Sequence, residues 1–223
     1  MRINGYTTFE VRGVSVKEAV VKRFQQICKE RNILKREYMT GLHLSSYLLA
    51  KLLVLGLVCA VQSVLLVGVF ALLVGLPESG IFISPLLELL ITTFLTALAA
   101  TSMGLFVSSL FRNADRAMTV APLLLMPQIL FSGLVFDLSG STEIISWFAT
   151  CRWAMEGYGT TANLNELPLA LQQQGIAIVH EAEDFFKFST RHMLGAWGVL
   201  IVFVIGFAIL GGIALLKLKK TEP

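Results

Sequence analysis

The chain has 223 residues, 55% of them apolar and 15% charged, with a formal net charge of +3. A soluble domain carries about 45–50% apolar and about 25% charged residues, so this much apolar side chain does not fit inside one water-soluble core. Bulk disorder is excluded for the same reason, and Cys28, Cys59 and Cys151, odd in number and far apart, exclude a disulfide scaffold. The small net charge carries no signal of a nucleic-acid partner.

Residues 1–14 form a polar N-terminal segment. Over 15–41 the pattern predicts an amphipathic helix. Ser15 and Glu18 have capping-box spacing, and Val16, Val20, Phe24, Ile27, Leu34 and Tyr38 recur at steps of three or four along one stripe, with Arg31 the one polar interruption. Gly41 is a stop signal. The other faces carry Lys17, Lys22, Gln25, Lys29, Glu30, Lys35, Arg36 and Glu37. A basic helix of this kind can lie on anionic lipid headgroups. The mixed signs of Lys29-Glu30-Arg31 and Lys35-Arg36-Glu37 fit a second reading, a docking helix for a cytoplasmic protein, because Glu30 and Glu37 add nothing to lipid binding.

Four apolar runs then reach the ~20 residues a bilayer-spanning helix needs: Tyr47–Leu76, Pro85–Leu110, Ala117–Leu138 and Met193–Leu216. The first holds one charge, Lys51; the second, Glu88; the third, Asp137 at its very end; the fourth, none. Three spans thus fall within 45–138, and the last span with its tail occupies 193–223. In the second span Thr92, Thr96, Ala100, Gly104 and Ser108 repeat every four residues, a small-residue stripe suited to helix packing within the chain or to a dimer seam. Ala208 and Gly212 make a weaker version in the last. Glu88 is the single carboxylate inside a span. It reads either as a functional intramembrane acid or as a first-turn acid favoured by the helix dipole behind Ser84 and Pro85. The third span contains Pro122, Pro127 and Ser132-Gly133, which predicts a broken helix buried in the bundle or lining a path.

Between the last two spans, 139–192 opens with short aromatic helices containing Trp147, Trp153 and Tyr158, which suit an interfacial belt. It then becomes polar, like an external cap. His180 with Glu181, Glu183 and Asp184 reads as a solvated acidic stretch, and no residue set has metal-ligand spacing. No G-x-x-x-x-G-K-[ST] cradle for nucleotide phosphates occurs, so no catalytic, metal or cofactor site is expected in this chain. The early stretch 1–51 contains ten Lys and Arg, 111–116 two and the tail three; together these fifteen of the eighteen basic residues lie on one side of a four-span layout. The positive-inside bias then puts both termini in the cytoplasm.

Several blocks, in order, resemble a known family. Glu30-Arg31-Asn32-Ile33-Leu34-Lys35-Arg36-Glu37-Tyr38, with Gly41 and Leu44-Ser45-Ser46-Tyr47-Leu48-Leu49-Ala50-Lys51, is similar to the coupling helix and following span of ATP-binding-cassette exporter permeases, of the white, sterol and multidrug half-transporter type and their bacterial relatives. Phe131-Ser132-Gly133-Leu134 resembles the break near the outer end of that family's fifth span. Arg152-Trp153-Ala154-Met155-Glu156, followed by Asn165-Glu166-Leu167, resembles the segment after its re-entrant helices.

The resemblance implies an all-α polytopic bundle of four transmembrane helices, with an N-terminal coupling helix and short re-entrant helices. It implies that Lys29, Glu30, Arg31, Lys35, Arg36, Glu37 and Tyr38 rest on an ATPase domain. It implies that Pro127, Phe131, Ser132, Gly133 and Leu134 border a translocation path, for a lipid, sterol or amphipathic drug. ATP and Mg would then be held by a partner ATPase domain or subunit, and a second permease half would complete a dimer in the plasma (cell inner) membrane. The family's permease has six spans, two of them before the coupling helix, so this chain corresponds to its C-terminal four-span portion. The other reading is a four-span membrane adaptor that binds a cytoplasmic partner and transports nothing.

Overall fold

The computed structural model describes residues 44–77, 80–111, 114–133, 141–165, 186 and 188–220. The amphipathic helix expected over 15–41, with all seven of its proposed ATPase-facing residues, lies outside these, as do Leu134 and the acidic stretch around His180.

Six helices make up the described residues, with no strand among them: α1 Leu44–Leu73, α2 Pro85–Leu110, α3 Ala114–Leu130, α4 Ser141–Ser146, α5 Thr150–Thr161 and α6 Thr190–Lys220. Stretches of α1, α2 and α6, namely Ser46–Leu73, Pro85–Leu110 and Thr190–Leu216, are long and apolar enough to cross a membrane. The expected first span stops three residues early because Gly75, at φ 92°, turns the chain in the left-handed region. The second begins and ends where its sequence signals put it. Ser84 is the N-cap and accepts from the Leu87 amide, and Pro85 occupies the first turn, where its missing N–H leaves no bond unmade.

The third expected span is shorter than its apolar run. α3 has 17 residues, a rise of about 26 Å against a hydrocarbon core of about 30 Å. It runs unbroken through Pro122 and Pro127. Of the expected interruptions, the one at the Ser-Gly pair is found: the Ser132 amide and hydroxyl both turn back to the Ile129 carbonyl, and Gly133 takes φ 87°. Each proline removes a single donor, which a helix can absorb, whereas a left-handed residue reverses the chain direction.

α2 is the centre of the bundle and packs on α6, α1, α5 and α3, most extensively on α6. Its buried surface does not follow the expected stripe. Thr92, Gly104 and Ser108 are buried but Ala100 is exposed, and Thr101–Leu105 is buried all round, because neighbours cover several sides of the helix at once. Three of its threonine hydroxyls are satisfied by back-bonding: Thr92 to the Glu88 carbonyl, Thr93 to Leu89, Thr96 to Thr92. That arrangement lets polar side chains sit in an apolar surrounding without orphaned donors. In α6, Gly211 lies against the backbone of Phe106, with room for a Cβ only 3.6 Å from its Cα, while Gly212 faces Leu48 of α1 instead.

α3 lies at the edge. Leu123, Met126 and Ile129 are each more than half exposed; Ala117 and Ala121 are buried, and Gln128 is half-buried. The burial expected for this span is therefore not found within the chain itself. Two alanines four residues apart offer a narrow strip to the bundle, and the broad Leu, Met and Ile face is left outside it.

Candidate functional site

Two constructions stand out: a carboxylate-centred loop at the start of α2, and a set of polar ties that fasten the short helices α4 and α5 to the long ones.

Glu88 is fully buried in the first turns of α2. Its Oε1 accepts three consecutive backbone amides, from Ile81 at 2.9 Å, Phe82 at 2.7 Å and Ile83 at 3.1 Å. The loop wraps so tightly that a Cβ at Gly80 would stand 2.7 Å from the Ile83 carbonyl and 3.2 Å from Glu88 Oε1. The carboxylate thus reaches back over the helix start and gathers the amides of the preceding turn, as a capping-box acid does one position earlier.

One turn deeper, α2 meets α5 and α6 through hydroxyls and aromatic donors. The Trp197 indole donates to Thr92 Oγ1 at 2.9 Å, and the Tyr158 hydroxyl donates to Thr93 Oγ1 at 2.9 Å. Gly157 of α5 lets this contact close, since a Cβ there would lie 2.9 Å from Thr92 Cγ2. Glu156 pairs with His192 at 3.0 Å, joining α5 to the first turn of α6. Burial holds the Glu156 carboxyl above the ordinary range, against the opposing pull of His192 and Arg152. Burial likewise lowers Arg152, while Glu156 and Glu143 favour its charge, and its guanidinium lies over Trp153 at 4.9 Å and Trp147 at 5.6 Å. The Trp153 indole donates to the Trp147 carbonyl, which fixes α4 to α5.

At its other end α5 begins with Ala149 as N-cap and no side-chain cap of its own. The acceptor comes from α3: Gln128 Oε1 takes the Thr150 hydroxyl at 2.9 Å and the Cys151 amide at 3.2 Å. Gln128 was not among the residues expected from sequence, although an amide side chain in an otherwise apolar run was a signal of a buried partner.

Of the residues expected to border a path, Pro127 is exposed on α3, Phe131 and Gly133 are half-buried, and Ser132 is buried where the helix closes. They form one continuous piece at the end of α3, whereas Glu88 belongs to the loop before α2.

Residues 22–159 match the family described as ABC-2 type transporter, membrane domain. The chain belongs to the ABC-2 type transporter family. Over 142 residues it is also 29% identical to an ABC transporter ATP-binding/permease protein of Mycobacterium tuberculosis (strain ATCC 25618 / H37Rv). That alignment covers 62% of this chain and 16% of the relative, so the chain spans a small part of the relative's length. The matched region takes in the stretch 29–38, α1, α2, α3 and all but the last residues of α5. The protein is thus an integral, multi-pass membrane protein of the permease kind, and its three long apolar helices agree with that.

Proposed function

We propose that the chain is the membrane-spanning permease portion of an ATP-driven exporter, coupled to a separate ATPase domain or subunit through its cytoplasmic segment. The observation that carries this reading is the match to the ABC-2 membrane domain across residues 22–159, supported by a relative whose name joins ATP-binding and permease functions in one protein. ATP and Mg are held by the partner. Nucleotide binding there closes the ATPase, which presses on Lys29, Glu30, Arg31, Lys35, Arg36, Glu37 and Tyr38. Differential binding of nucleotide to the two states is what drives the change, because a ligand shifts an equilibrium only by its preference between states.

The broad apolar face of α3, ending in Pro127, Phe131, Ser132, Gly133 and Leu134, borders the path opposite a second permease half. Rigid-body rocking of the helices alternates access to it. The basic residues of 1–51, 111–116 and the tail face the cytoplasm in the plasma (cell inner) membrane, with both termini inside.

The test is a quadruple charge reversal, Glu30→Lys, Arg31→Glu, Arg36→Glu and Glu37→Lys, assayed for stimulation of the partner ATPase. Stimulation should fall at least tenfold while membrane insertion stays normal. Undiminished stimulation refutes the docking role. Single cysteines placed along 123–133 supply the second arm: a water-reactive face supports a path, and uniform protection supports an adaptor that transports nothing.

A further inference from the structure

We propose that Gln128 is a positioning residue that latches α5 to α3, so that displacement of α3 is carried into α5 and on to α6; the transmission part rests on the reading of α3 as the helix that borders the path. Three facts carry the latch. First, α5 starts with Ala149, which supplies no side-chain cap, and the first amides of a helix have no partner within it. Second, Gln128 Oε1 accepts both the Cys151 amide and the Thr150 hydroxyl, an N-cap delivered from another helix. Its Nε2 meanwhile leans on Met103 Sδ of α2 at 4.0 Å. Third, Met103 lies 18 residues beyond Pro85, about 27 Å of rise along α2. Seven residues short of Leu110 and so about 10 Å from the nearer end, Met103 places the first turn of α5 beside the body of a spanning helix, where backbone donors need a protein acceptor.

The path onward is continuous. From its capped first turn α5 reaches Glu156, paired with His192, and Thr161, whose hydroxyl donates to the Gly157 carbonyl at 3.0 Å and lies 3.8 Å from Met193 Sδ. Both partners lie in the first turns of α6. Among the described side chains of α3, the buried apolar ones are Ala117 and Ala121, which slide more readily than an amide cap.

The Cys151 thiol reports on the latch, since its own amide is one of the captured donors and its side chain is half-buried. The full chain, in native membranes with its ATPase partner, is alkylated with N-ethylmaleimide and the peptide containing Cys151 is followed by mass spectrometry. Gln128→Leu removes the acceptor and should speed alkylation about tenfold. Gln128→Glu keeps an acceptor at the same reach and should stay within about twofold of the parent. Thr150→Val, which removes one donor and leaves Gln128 in place, should give a smaller rise and serves if Gln128→Leu does not insert. An unchanged rate in both Gln128→Leu and Thr150→Val, or an equal rise in Gln128→Glu, overturns the latch.

Transmission is read by repeating the measurement with ATP and vanadate. The parent rate should change by at least threefold and the Gln128→Leu rate should not. Equal responses in the two overturn transmission and leave the transporter reading standing. A parent rate indifferent to nucleotide overturns the transporter reading and transmission together, and the latch is then judged by the nucleotide-free rates alone.

Discussion

α2 and α3 are neighbours in sequence and opposites in construction. Half of α2's 26 residues are buried, many of them threonine, serine or glycine; Thr92 and Thr93 donate to backbone carbonyls and accept from Trp197 and Tyr158. α3 is built of Leu, Met, Ile and Pro and leaves most of them uncovered. In water this would be inside-out. In a bilayer it follows from the physics: apolar exposure costs nothing against lipid tails, so association rests on close packing of small residues and on hydrogen bonds that have nowhere else to go. The difference separates a polar-tied core, α2 with α5 and α6, from a peripheral helix that offers it Ala117, Ala121 and the Gln128 amide.

If that division is right, substitutions should rank accordingly. The largest effect belongs to Glu88. Glu88→Ala strands three amides around a buried acceptor site and should destabilise the folded bundle by about 3 kcal/mol, while Glu88→Gln, which keeps an acceptor oxygen, should recover most of it. Unfolding in detergent, followed by helical circular dichroism, measures both. Equal losses for the two variants would mean that the charge and not the acceptor geometry holds the loop of Gly80–Ile83. Next comes Gly157→Val. Its branched side chain meets Thr92 Cγ2, already 2.9 Å from a bare Cβ, and overpacking of this kind costs roughly 1–3 kcal/mol. The same assay should also show the Tyr158 and Trp197 bonds to α2 weakened.

The smaller effects lie on the other side of the comparison. Leu123→Ala and Met126→Ala remove side chains 63% exposed in the chain and should shift stability of the isolated chain by less than about 0.5 kcal/mol. A clear loss seen only in the assembled transporter would sharpen the contrast, because it would place a second permease half against that face. A comparable loss in the isolated chain would break it.

How much of this was legible in the residues differs by feature. Three of the four expected spans were, because an apolar run of 26 residues such as that between Ser84-Pro85 and Phe111 admits few other structures, and both ends of α2 fell where capping chemistry put them. The family was readable from ordered blocks, and the match over 22–159 bears it out. The prolines misled. They signalled kinks that the helix runs through, while the break also expected at Ser132-Gly133 is where the structure has it, because a missing donor is a local defect and a left-handed glycine is a change of direction. The buried face of α2 was also only half legible, since a four-residue stripe describes one neighbour and α2 has four. The polar ties were hardest: Gln128 to Cys151, Tyr158 to Thr93 and Trp197 to Thr92 join residues 23, 65 and 105 positions apart, and nothing periodic in one chain announces such pairs.

The smallest expected effect concerns pH and tests the scaffold where it meets α6. Glu156 is buried and paired with His192, and burial outweighs His192 and Arg152 in holding its carboxyl above the ordinary value of 4.5. The folded state therefore keeps this proton to higher pH than the unfolded chain does. Stability from this group is greatest below 4.5 and falls as pH rises through the folded value, because the native state binds the extra proton in that window. Glu156→Gln cannot titrate, so its unfolding midpoint should vary less between pH 4.5 and 7 than the parent's, with the two closest at the acid end. A parent midpoint that instead rises with pH across this window, with the rise abolished in Glu156→Gln, would mean that the ion pair with His192 outweighs burial. α5 would then be held to α6 by charge and not by packing.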